Sequence, residues 1–123
     1  MKTSYFAKYK ENNGICIALK KPEYFQGESY PNLFPTWEII KIYKYHHYKD
    51  YKEKYVYEYQ KQILSKLNPN KVYDDLKDRV LLCYEKSGEF CHRRIVAAWI
   101  ERYTGHKVEE IKTIDKRSGL IEI

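Results

Sequence analysis

Arg79-Val80-Leu81-Leu82-Cys83-Tyr84-Glu85 is apolar at both odd and even positions. A strand that alternates buried and exposed residues shows period two. A run apolar at both parities predicts a strand covered on both faces, the central strand of a helix-flanked sheet. Lys86-Ser87-Gly88-Glu89 predicts the turn that follows it. From about Cys91 to Tyr103 the apolar residues Ile95, Val96, Trp99, Ile100 and Tyr103 recur at helical spacing, and Gly105 is a natural C-terminal stop.

Upstream, Thr3 to Tyr9 reads as a short strand and Ile15-Cys16-Ile17-Ala18-Leu19 as a second, buried one. The interval between them is too short for a helical crossover. They either pair as a hairpin through Asn13-Gly14 or neighbour each other less regularly. Pro22 to Pro35 reads as a long loop with aromatic anchors at Tyr24, Phe25, Tyr30 and Phe34, either a functional element or a tightly packed cover. Thr36 can cap a helix near 36–46, on which Trp37, Ile40, Tyr43 and His47 share helical spacing. Asp50 can cap a longer helix whose Tyr51, Tyr55, Tyr59, Ile63 and Leu67 fall near one face, until Asn68-Pro69-Asn70 stops it. Val72 to Lys77 forms a helical turn, Val108 to Ile111 begins a last strand, and Gly119 to Ile123 is a further extended piece. These elements predict a single α/β domain over 1–123, with a mixed, mainly parallel sheet flanked by helices.

The 123 residues suit one domain. No apolar run approaches the roughly 20 residues of a membrane span, and the N-terminus lacks the apolar core of a signal peptide, so the expected location is the cytoplasm. Three cysteines, Cys16, Cys83 and Cys91, are too few and too odd in number for a secreted disulfide framework. A Cys83–Cys91 bridge is geometrically conceivable, but in a reducing compartment the thiols are expected to stay free. The net charge of +6 favours anionic partners. A phosphate-bearing small molecule or nucleic acid is the expected class, although the charges are scattered rather than gathered in one block.

Candidate chemistry concentrates where the central strand hands over to its helix. Ligands of open α/β sheets bind beyond the carboxyl ends of the strands, where helix N-termini offer unpaired N–H groups and partial positive charge. Glu85 stands at such an end, and Cys91-His92-Arg93-Arg94 opens the helix. Arg93 or Arg94 would grip an anion, and His92 would donate a proton or a second positive charge. Basic residues in a first helical turn oppose the dipole. Their presence calls for a bound anion or for pairing with Glu85 and Glu89 as a structural ion cluster. Cys91, at a helix start beside His and Arg, is either a nucleophile or a packing or capping residue. The phosphatase loop is excluded, because Ala97 stands where its arginine belongs. Cys83, Cys91, His92 and His46 or His47 could supply metal ligands. The spacing lacks C-x-x-C and H-x-x-x-H, Cys83 is expected to pack inside its strand, and no metal or other cofactor is expected. His46-His47 among Tyr43, Tyr45 and Tyr48 reads as core rather than as a base-stacking surface.

The stretch Leu81-Leu82-Cys83-Tyr84-Glu85 … Phe90-Cys91-His92-Arg93 … Val96-Ala97 … Trp99-Ile100 resembles the signature of the bacterial family called domain of unknown function 488, a strand ending L-x-C-x-E followed by C-H-R at a helix start. Thr3-Ser4-Tyr5-Phe6 and Tyr30 … Leu33 … Pro35 look like its short variants. The resemblance implies a Rossmann-like layering and a site built around Glu85, Cys91, His92 and Arg93, with Ser4 and Tyr5 near it. It implies no activity. Longer members carry a helix between positions corresponding to Phe6 and Ile15, where this chain has only a turn.

Two functions follow. One is an enzyme cleaving a glycosidic or phosphoester bond in a nucleotide or nucleic-acid component, with Glu85 as base or nucleophile, His92 as acid and Arg93 on phosphate. The other is a binding module that holds or sequesters an anionic nucleotide-type ligand unchanged.

Overall fold

The computed structural model describes residues 1–45, 49–111, 113–114 and 121–122. Five strands, β1 (Lys2–Tyr5), β2 (Gly14–Cys16), β3 (Glu28–Ser29), β4 (Val80–Cys83) and β5 (Glu109–Glu110), form one sheet in the order β3-β2-β4-β1-β5. Every pairing in it is parallel. Antiparallel pairing occurs in a separate ribbon of β6 (Thr113–Ile114) and β7 (Ile121–Glu122). Among the described residues, no helix is long and apolar enough to cross a membrane.

The double-parity run behaves as its composition demands. All four residues of β4 are buried, with β1 on one side and β2 on the other. Leu81 joins one apolar cluster, while Val80 and Leu82 join a second. The hairpin alternative for β1 and β2 is therefore overturned, because β4 lies between them and both run parallel to it. The first strand also ends at Tyr5 rather than Tyr9, since Lys8 and Tyr9 turn back to donate to the Tyr5 carbonyl. An eight-residue link can do the work of a crossover because the strands are so short. A four-residue strand spans only about 13 Å, which eight residues cover easily.

The two faces of the sheet are covered differently. The larger cluster combines Ile15, Ile17 and Leu81 with residues from all four helices, α1 (Trp37–Tyr45), α2 (Tyr51–Gln62), α3 (Pro69–Leu76) and α4 (His92–Thr104). The smaller cluster contains Cys16, Ala18, Val80 and Leu82, covered by Phe6, Tyr9, Phe25 and Phe34 from the links after β1 and around β3. The aromatic 22–35 loop thus packs as a cover where a helix is missing.

Local signals set the helix ends. Thr36 Oγ1 accepts the Ile39 N–H at 3.2 Å, capping α1. Asn68 Oδ1 accepts from Asn70 and Lys71, with Pro69 in the first turn, so Asn68-Pro69 starts α3 as well as stopping what precedes it. Asp50 occupies the N-cap position of α2 without a side-chain cap bond. Gly105 closes α4 in the left-handed region at φ 78°. The apolar stripe of α4 is rotated from expectation. Arg93, Val96, Ala97 and Ile100 are buried, whereas Tyr103 is exposed.

Tyr59 ties α2 to the long loop, its buried hydroxyl donating to the Leu33 carbonyl at 2.6 Å. Tyr59→Phe leaves that carbonyl unpaired and is expected to cost about 1–3 kcal/mol. Urea denaturation should show a lower midpoint with an unchanged slope, and an unchanged midpoint would mean that the bond contributes nothing.

Candidate active site

The carboxyl end of β4 and the first turn of α4 open into a cavity of about 450 Å³, bordered also by Ala18, Leu19 and Lys20 after β2 and by Trp37, Ile40, Tyr43 and Tyr55. Cys83, Tyr84 and Glu85 supply one wall, and Phe90, Cys91 and His92 another. The volume is within the ordinary range for a small-molecule site. Much of the wall is aromatic. Phe90 stacks on Tyr43 at 5.5 Å between centroids and meets Tyr55 edge-on at 5.2 Å.

Glu85 is half-buried, and burial pushes its carboxyl above the ordinary glutamate range. Its own backbone N–H and the charge of Arg93 oppose that shift, and Glu89 adds to it. The Tyr43 and Tyr55 hydroxyls are also held to higher pKa, by burial first and by the Glu85 charge second, which places both phenols in the field of this carboxylate.

His92 is buried, and its Nε2 lies 2.7 Å from the Ile17 carbonyl oxygen. A carbonyl can only accept, so Nε2 carries the proton. Burial lowers the pKa to about 4; the Ile17 bond opposes this and the Arg93 charge reinforces it. The imidazole is therefore neutral near pH 7, with Nδ1 bare and 4.0 Å from Cys91 Sγ. This corrects the expectation that His92 supplies an acidic proton, because its only N–H is given to the backbone.

Arg93 has no exposure at all. Its Nε donates to Glu110 Oε1 at 3.0 Å, Nη2 to Glu110 Oε2 at 2.8 Å, and Nη1 to Cys83 Sγ at 3.2 Å. Arg94 lies outside the cavity, its Nη1 donating to Thr3 Oγ1 at 2.8 Å and to the Val108 carbonyl at 3.1 Å. Two expectations are revised. The Arg93 guanidinium is enclosed and paired instead of being presented to a ligand, and its carboxylate partner is Glu110 on β5 rather than Glu85 or Glu89. Ser4 is buried in β1 opposite Leu82, and Tyr5 places its ring 5.9 Å from the Arg93 guanidinium carbon. Neither borders the cavity. His46 and His47 lie outside the described residues.

The expectation of free thiols is met by Cys16 and overturned for the other two, since Cys83 and Cys91 are joined as a disulfide. Compartment chemistry gave that expectation, whereas geometry sets the outcome. Cys83 ends β4, Cys91 is the N-cap residue of α4, and the short turn between them brings the sulfurs together at the cavity wall. In this form Cys91 has no thiolate to act as nucleophile.

Glu110 was not among the residues expected at the site, although the chain carries a signal for it. Val108 is buried, so period two along the last strand turns Glu110 to the same side, and an inward carboxylate demands a cation. Glu110 also accepts from Thr3 at 2.6 Å and Ser87 at 2.5 Å. Trp37, Tyr43 and Tyr55 were absent from the expected site because their apolar spacing also describes core, and Phe90 because it precedes the helix and belongs to no periodic stripe.

The family model described as the active DUF488-N3 subclade, DUF488-N3a, matches residues 6–104, most of the chain. No curated protein and no solved structure matches it.

Burial alone would push the Glu110 carboxyl up. The hydrogen bonds from Arg93, Ser87 and Thr3, with the Arg93 charge, outweigh burial and hold it below the ordinary value. The folded carboxyl therefore takes up its proton at lower pH than the unfolded one. Its stabilisation is complete above the ordinary glutamate range and is lost as pH falls through the depressed folded pKa. Glu110→Gln should cost about 3–5 kcal/mol at pH 7, because Arg93 keeps its buried charge without a counter-ion, and the deficit should shrink as pH drops. Denaturation at pH 7 and pH 3.5 checks this, and a deficit equal at both would refute the linkage.

Proposed function

The chain belongs to the domain of unknown function 488 family, and from that premise and the cavity we propose that it is an enzyme hydrolysing an N-glycosidic bond in a nucleobase-bearing compound. One observation carries the reading. A half-buried carboxylate, Glu85, borders an otherwise mostly apolar cavity that also carries the rings of Trp37, Tyr43, Tyr55, Tyr84 and Phe90. Flat aromatic rings bind flat heteroaromatic rings by stacking, worth about 1–3 kcal/mol per base. A carboxylate near the sugar carbon stabilises the positive charge that develops as the glycosidic bond breaks. Description of the matching family model as an active subclade is in keeping with catalysis.

In this mechanism the base lies between Trp37 and the Tyr43–Phe90 pair, with its sugar toward Glu85. Glu85 takes a proton from a water as the water oxygen bonds to the anomeric carbon. The bond from that carbon to the base nitrogen breaks, and the proton leaves with the base. His92 is not the acid, since its Nε2–H is given to the Ile17 carbonyl. Lys20, an exposed residue of the cavity wall, would meet a 5′-phosphate. Arg93 serves the site from behind by holding β4, β5 and α4 in register. The cavity wall offers one ammonium and no guanidinium, which favours glycosidic over phosphoester cleavage, since the latter needs charge clamped on the transferred group.

Incubation with a panel of nucleosides and 5′-nucleotides, read by chromatography for free base, is expected to show release. Glu85→Gln should lower it by about 100-fold or more while ligand-induced thermal shifts persist. Equal release by Glu85→Gln would dismiss this mechanism. Thermal shifts with every ligand recovered intact would establish the binding module instead.

A further inference from the structure

Among the described residues, one group of side chains has donor atoms close enough to share an ion: Cys83, Cys91 and His92, whose ligand atoms all lie within 4.8 Å of one another. We propose that the dithiol form of the chain binds one zinc-type divalent cation through Cys83 Sγ, Cys91 Sγ and His92 Nδ1, with its fourth position facing the cavity. The site stands whether or not Glu85 is catalytic.

The donors and their surroundings point to a metal. Two thiolates and an imidazole are the soft and borderline donors that zinc prefers, and three protein ligands with an open fourth position are the pattern of catalytic rather than structural zinc. Donors around one such ion stand about 3.5–4 Å apart, and His92 Nδ1 is 4.0 Å from Cys91 Sγ. The Cα atoms of Cys83 and Cys91 are 7.4 Å apart, wider than the roughly 5.5–6 Å usual for bridged pairs and suited to two sulfurs with an ion between them. The outer partners are already in place. The Nε2–H bond to Ile17 fixes the tautomer that leaves Nδ1 bare, as a metal-binding histidine requires, and Arg93 Nη1 donates to Cys83 Sγ, a bond that supports a thiolate. All three donors are buried residues that border the same cavity as Glu85. Two thiolates and an imidazole beside a glutamate outside the ligand set is also the arrangement by which zinc hydrolases of nucleobases activate water.

The disulfide and the ion are alternative occupants. A dithiol reductant converts the bridge to two thiols, delivering two electrons and two protons and becoming a disulfide itself. Metal binding then releases the two thiol protons. No covalent change occurs at His92.

The test uses the full chain after dithiol reduction and removal of the reductant under inert gas, with three free thiols confirmed by a thiol count. Cobalt(II) titration is expected to saturate at one equivalent with an intense sulfur-to-cobalt charge-transfer band, and zinc should displace it. Cys83→Ser, Cys91→Ser and His92→Gln should each weaken the site by more than about 100-fold, beyond what loss of an outer partner costs, while Cys16→Ala and Glu85→Gln bind as the parent does. If the serine variants do not fold, the parent decides. One equivalent of zinc should protect Cys83 and Cys91 from alkylation, located by peptide mass. A folded, reduced chain with no charge-transfer band and no zinc protection overturns the site, as does a band that survives in both serine variants. Retention of metal by Glu85→Gln without base release separates this result from the fate of the glycosidic reading.

Discussion

A fully buried arginine on the first turn of a helix is the constraint from which the rest of this structure follows. Arg93 opposes the dipole of α4 and has no access to water, so its charge is tolerable only with a fitted counter-ion. Glu110 supplies both carboxylate oxygens from the outermost strand, Cys83 accepts a third bond from the end of the central strand, and Tyr5 lies beside the guanidinium. One side chain therefore fixes β5, β4, β1 and α4 relative to one another. Such a pair is weak as a source of net stability and strong as a determinant of geometry, since any arrangement that separates the partners strands a charge.

What that geometry secures is the junction between β4 and α4. With the first turn of α4 held against the end of β4, Cys91 meets Cys83, His92 reaches the Ile17 carbonyl on the neighbouring chain segment, and Glu85 is left beside the aromatic residues of α1 and α2. The wall of the cavity is mostly apolar, with Glu85, His92 and Lys20 as its charged or titratable side chains other than the tyrosines. The chain spends its most basic turn on internal order, and its reactive candidates are the groups that face the opening.

The features legible in the sequence are those written in neighbouring residues. The double parity of 79–85 announces a central strand, Thr36 announces a helix start, and Gly105 announces a stop, whereas Asn68 was legible only as the end of what precedes it. The junction at Glu85 and Cys91-His92 was also readable, because sheet physics puts sites at that end of a strand. Features written across long separations were not readable. Asn13-Gly14 is a good local turn, yet β4, more than sixty residues later, takes the place a hairpin partner would occupy. Glu110 is 17 residues from Arg93, and only its register with buried Val108 hints that it points inward. The ring residues Tyr43 and Tyr55 carry the same spacing whether they fill a core or wall a cavity, so their second role appears only when helices and strands are assembled.

Ligands entering at the β4–α4 junction would meet one of the two tryptophans and miss the other. Trp37 borders the cavity, whereas Trp99 lies on α4 outside it. Fluorescence of Trp99→Phe, which retains Trp37, should be quenched saturably by nucleosides, while Trp37→Phe, which retains Trp99, should respond little. A saturable response from Trp99 with none from Trp37 would place the binding surface elsewhere and contradict the account.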